Sequence, residues 1–372
     1  MLRVRWLAGL FLVLLSASGM ADCAMAREKI GGELVVYSAP GVSALFEALV
    51  EPFAQYTKDK FGVAVKVDIV TRSVPVAWAT LQTEWPNPSG DVYLLYSRHI
   101  DEGIRRGYLQ PLRSHYSDAE WARFDPEAVR SLDAHGYAAP LIMTAIVLAV
   151  QDSLPEDTVT GWGDLSGDAL KGRLTFDSAM SVGAGYSAVA AAALVQGSDW
   201  HDWFKGGKFD EAAARPTLEL MRRWVGNALT LTQGSGTVRP LLARGETLVS
   251  AWWWANTMQE IRNGLPLRIV YPKEGTLTEV QSGPVVTSVT KNPVAAIEWV
   301  KFVHSDFAAQ VSRKLNYLAR IPLVGEDPPP AWKDFLVKAK QVPIDGFRAA
   351  VLDPAYNEAF IDAYRRIVLQ EQ

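Results

Sequence analysis

Glu33-Leu-Val-Val-Tyr37 runs into Ser38-Ala39-Pro40-Gly41, and after it Val42, Leu45, Phe46, Leu49, Phe53 and Tyr56 recur at three- and four-residue spacing. This stretch decides the fold. The first run is short, apolar and β-branched, as a buried strand is, and the Pro-Gly pair closes it as a loop. The spaced residues that follow mark one apolar helix face. Pro52 falls inside that face, so a kink or restart is expected there. Val63 to Val70 reads as strand again and ends at Thr71-Arg72-Ser73. A short helix over Ala77–Gln82, a loop holding Pro86 and Pro88, and a strand over Asp91–Tyr96 complete the pattern. Strand, helix, strand, helix, strand predicts an α/β fold with a parallel sheet covered on both faces.

The rest of the chain repeats the theme. Tyr137–Val150 is a long apolar run holding Pro140, Gly172–Phe176 reads as a strand, and Ser187–Val195 as an alanine-rich helix. Thr247–Trp254 and Leu267–Tyr271 read as further strands. Asn292-Pro293 predicts a helix start, with Asn capping and Pro at the first helical position. Ile297, Val300, Val303, Phe307 and Val311 then mark its buried face. Gly325–Pro330 is a proline-rich linker before a helical tail, and no internal repeat or low-complexity tract occurs.

Arg3 and Arg5, an apolar run from Trp6 to Leu15, and Ala24-Met25-Ala26 follow one another at the start. That is the layout of a secretory signal peptide, expected over residues 1–26 with cleavage near Ala26. The apolar run falls short of the roughly 20 residues that span a bilayer. Cys23 is the only cysteine and precedes the expected cut, so the mature chain would carry no thiol. Asp22 directly before it argues against lipid attachment. Losing Arg3, Arg5 and Asp22 takes 37 basic and 41 acidic residues to 35 and 40, a net charge of −5. No basic stripe points to nucleic acid, and no polybasic tract to an anionic membrane.

His99, His115, His135, His201 and His304 are far apart, with no His-Glu-x-x-His, so no metal or cofactor is expected. There is no Gly-x-Ser-x-Gly elbow and no Walker-type loop. Gly183-Ala-Gly185-Tyr-Ser-Ala188 matches a dinucleotide fingerprint in letters. The distance from the preceding strand is too long for a tight turn, and no acidic residue waits some 20 positions on. Close packing, or a helix start that receives a polar or anionic group of a bound solute, remain open for it.

Several stretches together resemble the extracellular solute-binding proteins of family 1, the type 2 periplasmic binding proteins of ABC importers. They are Gly32-Glu-Leu-Val-Val-Tyr-Ser38, Gly161-Trp-Gly-Asp-Leu165 with Leu170-Lys-Gly-Arg-Leu174, and Val270-Tyr-Pro-Lys-Glu-Gly275. Val285–Thr290, Lys291-Asn-Pro293 and the helix from Ala295 to Gln310 follow in the same order. The resemblance implies a two-lobed type 2 fold with two hinge crossings, near Tyr137–Leu141 and near Tyr271–Glu274. Lobe one would hold residues 27–139 and 273–321, and lobe two 140–272 and 322–372. It further implies a periplasmic, non-enzymatic monomer that captures a small-molecule ligand by lobe closure and hands it to an ABC transporter permease.

Residues at strand ends supply the candidate ligand contacts: Ser38, Ser73 and Ser97 in lobe one, and Ser178 and Tyr186 around the glycine loop. Trp252-Trp253-Trp254 ends a strand, so alternate rings should face opposite ways. Trp252 and Trp254 are expected to line the cleft with Asn256, and Trp253 to face the core. Glu274, at the expected second crossing, is a candidate partner for an amine. Tryptophan faces and a carboxylate suit a cationic amine, slightly favoured. A phosphonate or other small anion at the Gly183-Gly185 helix start is the alternative. An exported α/β hydrolase is the alternative of another class, and a periplasmic sensor subunit would use the same cleft.

Overall fold

The computed structural model describes residues 30–180, 185–233, 235–315, 317–344 and 346–371. The expected signal peptide and Gly183 lie outside the described residues.

One sheet of ten strands runs through the molecule. Its strands are β1 (Glu33–Ser38), β2 (Lys66–Thr71), β3 (Val92–Tyr96), β4 (Ile142–Gln151), β5 (Leu174–Asp177), β6 (Ala228–Thr232), β7 (Val249–Trp253), β8 (Leu267–Val270), β9 (Thr276–Val286) and β10 (Gln341–Pro343). The spatial order is β2-β1-β3-β9-β4-β7-β5-β6, with β8 beside β4 and β10 beside β9. At one end β1 lies parallel to β2 and β3, and at the other β5 lies parallel to β6 and β7. Between these blocks β4 and β9 pair antiparallel with each other, and each also pairs antiparallel with the block it adjoins. The expected parallel α/β pattern therefore holds in each lobe, and two long antiparallel strands connect the lobes.

Helices cover both faces: α1 (Ser43–Phe61), α2 (Val74–Glu84), α3 (Ser97–Arg105), α4 (Gly185–Gln196), α5 (Glu211–Asn227), α6 (Trp254–Arg262), α7 (Pro293–Val303), α8 (Asp306–Lys314) and α9 (Pro330–Lys338). In lobe one, Leu34 and Val36 of β1 meet Phe46, Leu49 and Phe53 of α1 and Trp299 of α7. Phe53 stands edge-on to Trp299 at 5.1 Å between ring centroids. In lobe two, Phe176 of β5 meets the alanine face of α4 and Leu218, Met221 and Trp224 of α5. Phe347, Phe360 and Tyr364 of the tail pack into this same core. Each such side chain contributes on the order of 1.5–3 kcal/mol through burial.

Three local expectations change. α1 runs on through Pro52, because Leu45, Phe46, Leu49 and Phe53 bury one continuous face on both sides of it. Asn292 precedes α7 but makes no side-chain cap; its Nδ2 donates to the Glu33 carbonyl at 2.8 Å, tying the helix start to β1. The spaced residues from Ile297 to Val311 belong to two helices, since α7 ends at Val303 and α8 restarts behind Ser305. Ser305 Oγ accepts from Ala308 N at 3.2 Å, and Phe307 is left exposed.

β9 has no clear period in sequence and contains Gly283 and Pro284. Its glycine is required by the first crossing segment: a Cβ on Gly283 would stand 2.3 Å from the Ala139 carbonyl oxygen.

Candidate functional site

A cleft of about 580 Å³ opens between the lobes, within the range of small-molecule sites. Strands β1, β2 and β3 each run to it and turn into helices, through Ala39–Val42 into α1, Ser73-Val74 into α2 and Tyr96 into α3. From lobe two come Asp177 at the end of β5, and Trp253, Asn256, Gln259 and Arg262 where β7 turns into α6. Met143 and Thr144 of β4 and Gln281 and Ser282 of β9 lie between them. Tyr317, Leu318 and Ala319 form a further side.

Helices α1, α2, α3 and α6 start at or beside the cleft, and none of their first turns carries a side-chain cap. The first N–H groups of a helix have no partner within it, and aligned peptide dipoles make that end positive; at α1 the Ser43 and Leu45 N–H groups already donate to the Ala39 and Val42 carbonyls. Arg262, the last residue of α6, adds a guanidinium, and partial burial pulls its pKa below the ordinary value. Among the described residues the one acidic residue on the cleft is Asp177, which is buried and accepts from Thr232 Oγ1 at 2.6 Å. The field in the cleft therefore combines positive helix ends and one arginine with the carboxyl group of Asp177.

Two aromatics of lobe one are held firmly. Tyr96 stacks on His99 at 5.6 Å between centroids, and His99 stacks on Trp78 at 5.4 Å. Burial, and after it the Arg98 charge, push the His99 pKa down to about 3, so the ring is neutral and accepts from Arg98 Nε at 3.2 Å. Tyr317 donates through its hydroxyl to the Gly41 carbonyl at 2.6 Å, fastening the loop before α1.

The expected contacts divide. Ser73, Trp254 and Asn256 line the cleft, Ser73 as the exposed N-cap of α2. Ser38 is 2% exposed and turns to the Ala39 carbonyl, while its neighbours Ala39–Val42 face the cleft. Ser97 opens α3 beside Tyr96 and is not itself on the cleft wall. Ser178 accepts from Met180 N at 3.2 Å within its own turn. Tyr186 is buried in the lobe-two core, 6.4 Å from Phe360 between ring centroids. Gly185 is fixed by packing, since a Cβ there would stand 2.0 Å from the Ser178 carbonyl oxygen.

Two of the three tryptophans exchange their expected places. Trp252 is buried with Val238, Leu242 and Leu267, while the half-buried Trp253 lines the cleft. The strand ends at Trp253 and a helix begins at Trp254, so the strand alternation stops there. Trp254 is 2% exposed at the cleft floor, packed on Trp332 and Phe335, with its Nε1 donating to Tyr271 Oη at 3.2 Å. Glu274 does not face an incoming amine. Its two oxygens accept from Trp162 N at 2.9 Å and Gly163 N at 3.1 Å, pinning the turn before β9 to lobe two.

Tyr96, Gln259, Arg262, Gln281 and Tyr317 also line the cleft, beyond the residues expected there. A signal for two of them existed: Asn256, Gln259 and Arg262 are polar residues at three-residue spacing on one helix. Among the described residues no group of His, Cys, Asp or Glu could hold a metal ion, and no helix is long and apolar enough to cross a membrane.

Residues 48–348 match the family of bacterial extracellular solute-binding proteins. A Haemophilus influenzae protein named only as uncharacterized is 24% identical over 270 residues, covering 70% of this chain and 69% of that one. The crystal structure of an ABC transporter from Clostridium perfringens superposes with a TM-score of 0.67 at 16% identity, over 90% of this chain and 99% of that one. The periplasmic binding protein AfuA from Actinobacillus pleuropneumoniae, with exogenous fructose-6-phosphate bound, gives a TM-score of 0.66 at 19% identity, over 91% and 99%. The architecture is the two-lobed type 2 periplasmic-binding-protein fold. The chain belongs to the bacterial extracellular solute-binding protein family.

Proposed function

We propose that this protein is the periplasmic component of an ABC importer, and that it captures a small anionic solute by closing its lobes over it. One observation carries the choice of charge: four helix starts without side-chain caps converge with Arg262 on a single cleft. A phosphoryl or carboxylate group there would receive backbone N–H groups from both lobes and a charge-assisted bond from the guanidinium. The features that favoured an amine are weaker in the folded chain, because Glu274 is held by backbone and Trp252 is buried. Trp253, Tyr96 and Tyr317 offer ring faces to the rest of the solute.

Solute touching both walls only in the shut form shifts an open–closed equilibrium. In this reading the lobes divide where β4 and β9 cross between them, and the tail from Ile344 onward moves with lobe two, whose core it shares. The amino-terminal segment serves as the export signal, and an importer permease receives the loaded, closed form.

Native mass spectrometry of freshly purified protein tests the reading, followed by fluorescence titration with fructose 6-phosphate, citrate, inorganic phosphate and spermidine. A retained acidic adduct, and binding of an anion that Arg262→Ala weakens, are expected. Binding of spermidine that Arg262→Ala tightens would overturn the choice of charge.

A further inference from the structure

The two strands that join the lobes are not paired evenly. From Leu277 to Val280, β9 pairs residue by residue with Ile146 to Met143 of β4. The next partner of β4, Ile142, faces Ser282, so Gln281 is an extra residue, a β-bulge. On the near side of the bulge, Glu274 and Lys273 hold β9 to lobe two: Lys273 N donates to the Thr160 carbonyl at 3.0 Å, beside the Glu274 contacts. On the far side, Ser282–Val286 pair with β3, and the Ser282 carbonyl accepts from Leu141 N at 3.1 Å; Leu141, ahead of β4, packs in the lobe-one core rather than in lobe two as expected. The irregularity therefore falls where β9 passes from one lobe's bonding to the other's. A bulge interrupts the ladder, bends its strand and re-aims one side chain.

That side chain is on the cleft. Gln281 is half-buried there, and its carboxamide has no hydrogen-bond partner among the described residues. A carboxamide offers both a donor and an acceptor, and from this place it can give both to a bound solute. We propose that the Gln281 bulge is the point about which the lobes bend, and that its carboxamide is the solute contact that biases the bend toward closure. This rests on the cleft-and-closure reading above.

Deletion of Gln281 should restore an even ladder without turning either flank of β9 over, since Val280 and Ser282 keep their partners. Spin labels on Ala79→Cys (α2) and Glu219→Cys (α5), with Cys23→Ala, report the interlobe distance by pulsed electron resonance. Without any solute, the deletion should narrow the distance distribution, while Gln281→Ala should leave it as broad as the parent. With fructose 6-phosphate or citrate, Gln281→Ala should weaken closure about three- to tenfold, the loss of one hydrogen bond to an uncharged group of the solute. A deletion variant as broad as the parent overturns the bend, and unchanged affinity in Gln281→Ala overturns the contact. If neither probe closes the parent while the deletion still narrows it, anion capture fails and the bulge stands. Should the deletion not fold, hydrogen exchange on the parent decides: faster exchange over residues 280–282 than over 277–279 and 284–286 supports the bend, and equal protection contradicts it.

Discussion

Beside the rings of Tyr96 and Tyr317, the lobe-one wall of the cleft is built of loop backbone and helix starts, Ala39-Pro40-Gly41-Val42 and Ser73-Val74, whereas the lobe-two wall presents the polar side chains Asn256, Gln259 and Arg262 with Trp253. Backbone N–H groups bind an anion without much regard to what carries it, and side chains distinguish one carrier from another. The contrast teaches that lobe two should hold most of the affinity and selectivity for a solute, while lobe one closes over it. The two lobes should also differ in acid sensitivity. Lobe one encloses two buried histidines, His99 and His304, while His201 of lobe two is exposed beside Asp199.

The largest expected effect is on the stability of lobe one. Burial pushes the His99 pKa down to about 3 and the His304 pKa down to about 4. Unfolded histidine takes a proton near pH 6.5, which the folded chain refuses until much lower. Their contribution is therefore complete above about pH 6.5 and is lost as pH falls from there toward 4 and 3. Hydrogen exchange at pH 7 and pH 5 should show β1 and β3 losing protection before β5 and β7. The reverse order would contradict the assignment.

Trp254→Ala comes next, at about 3–5 kcal/mol of stability in thermal or denaturant unfolding, because the ring is packed between Trp332 and Phe335. Trp253→Ala should spare the melting temperature by comparison. Arg262→Ala should weaken anion binding about ten- to a hundredfold, the usual size of a charge-assisted bond. Trp253→Ala should weaken it by a few-fold to about tenfold through lost ring contact. Ser73→Ala should do least, within about threefold, because the helix start supplies N–H groups whatever its cap. Isothermal titration of these variants with one anion measures the contrast between walls. A Ser73 effect larger than the Arg262 effect would mean that lobe one selects the solute.

Much of the fold was legible because each lobe is a run of local units. The alternation from Glu33 to Tyr96 reads directly as strand and helix, and so does the alanine run of α4. β9 was not legible: a strand that pairs with different neighbours along its length keeps no single buried face, and Gly283 and the Gln281 bulge interrupt its period. The site was harder. Strand ends pointed to Ser73 and Asn256, which line the cleft, but the same logic pointed to Ser38 and Ser178, which turn to nearby backbone. The tryptophan triplet misled because strand alternation alone does not say which face meets the cleft, and the helix that begins at Trp254 puts that ring on the same cleft as Trp253. Arg262 could be found only by reading Asn256, Gln259 and Arg262 as one polar helix face.

Closure itself is most directly read by small-angle X-ray scattering. Protein freed of retained solute and protein saturated with the solute found by native mass spectrometry should differ, the saturated form having the smaller radius of gyration. Identical profiles at saturation would contradict capture by lobe closure.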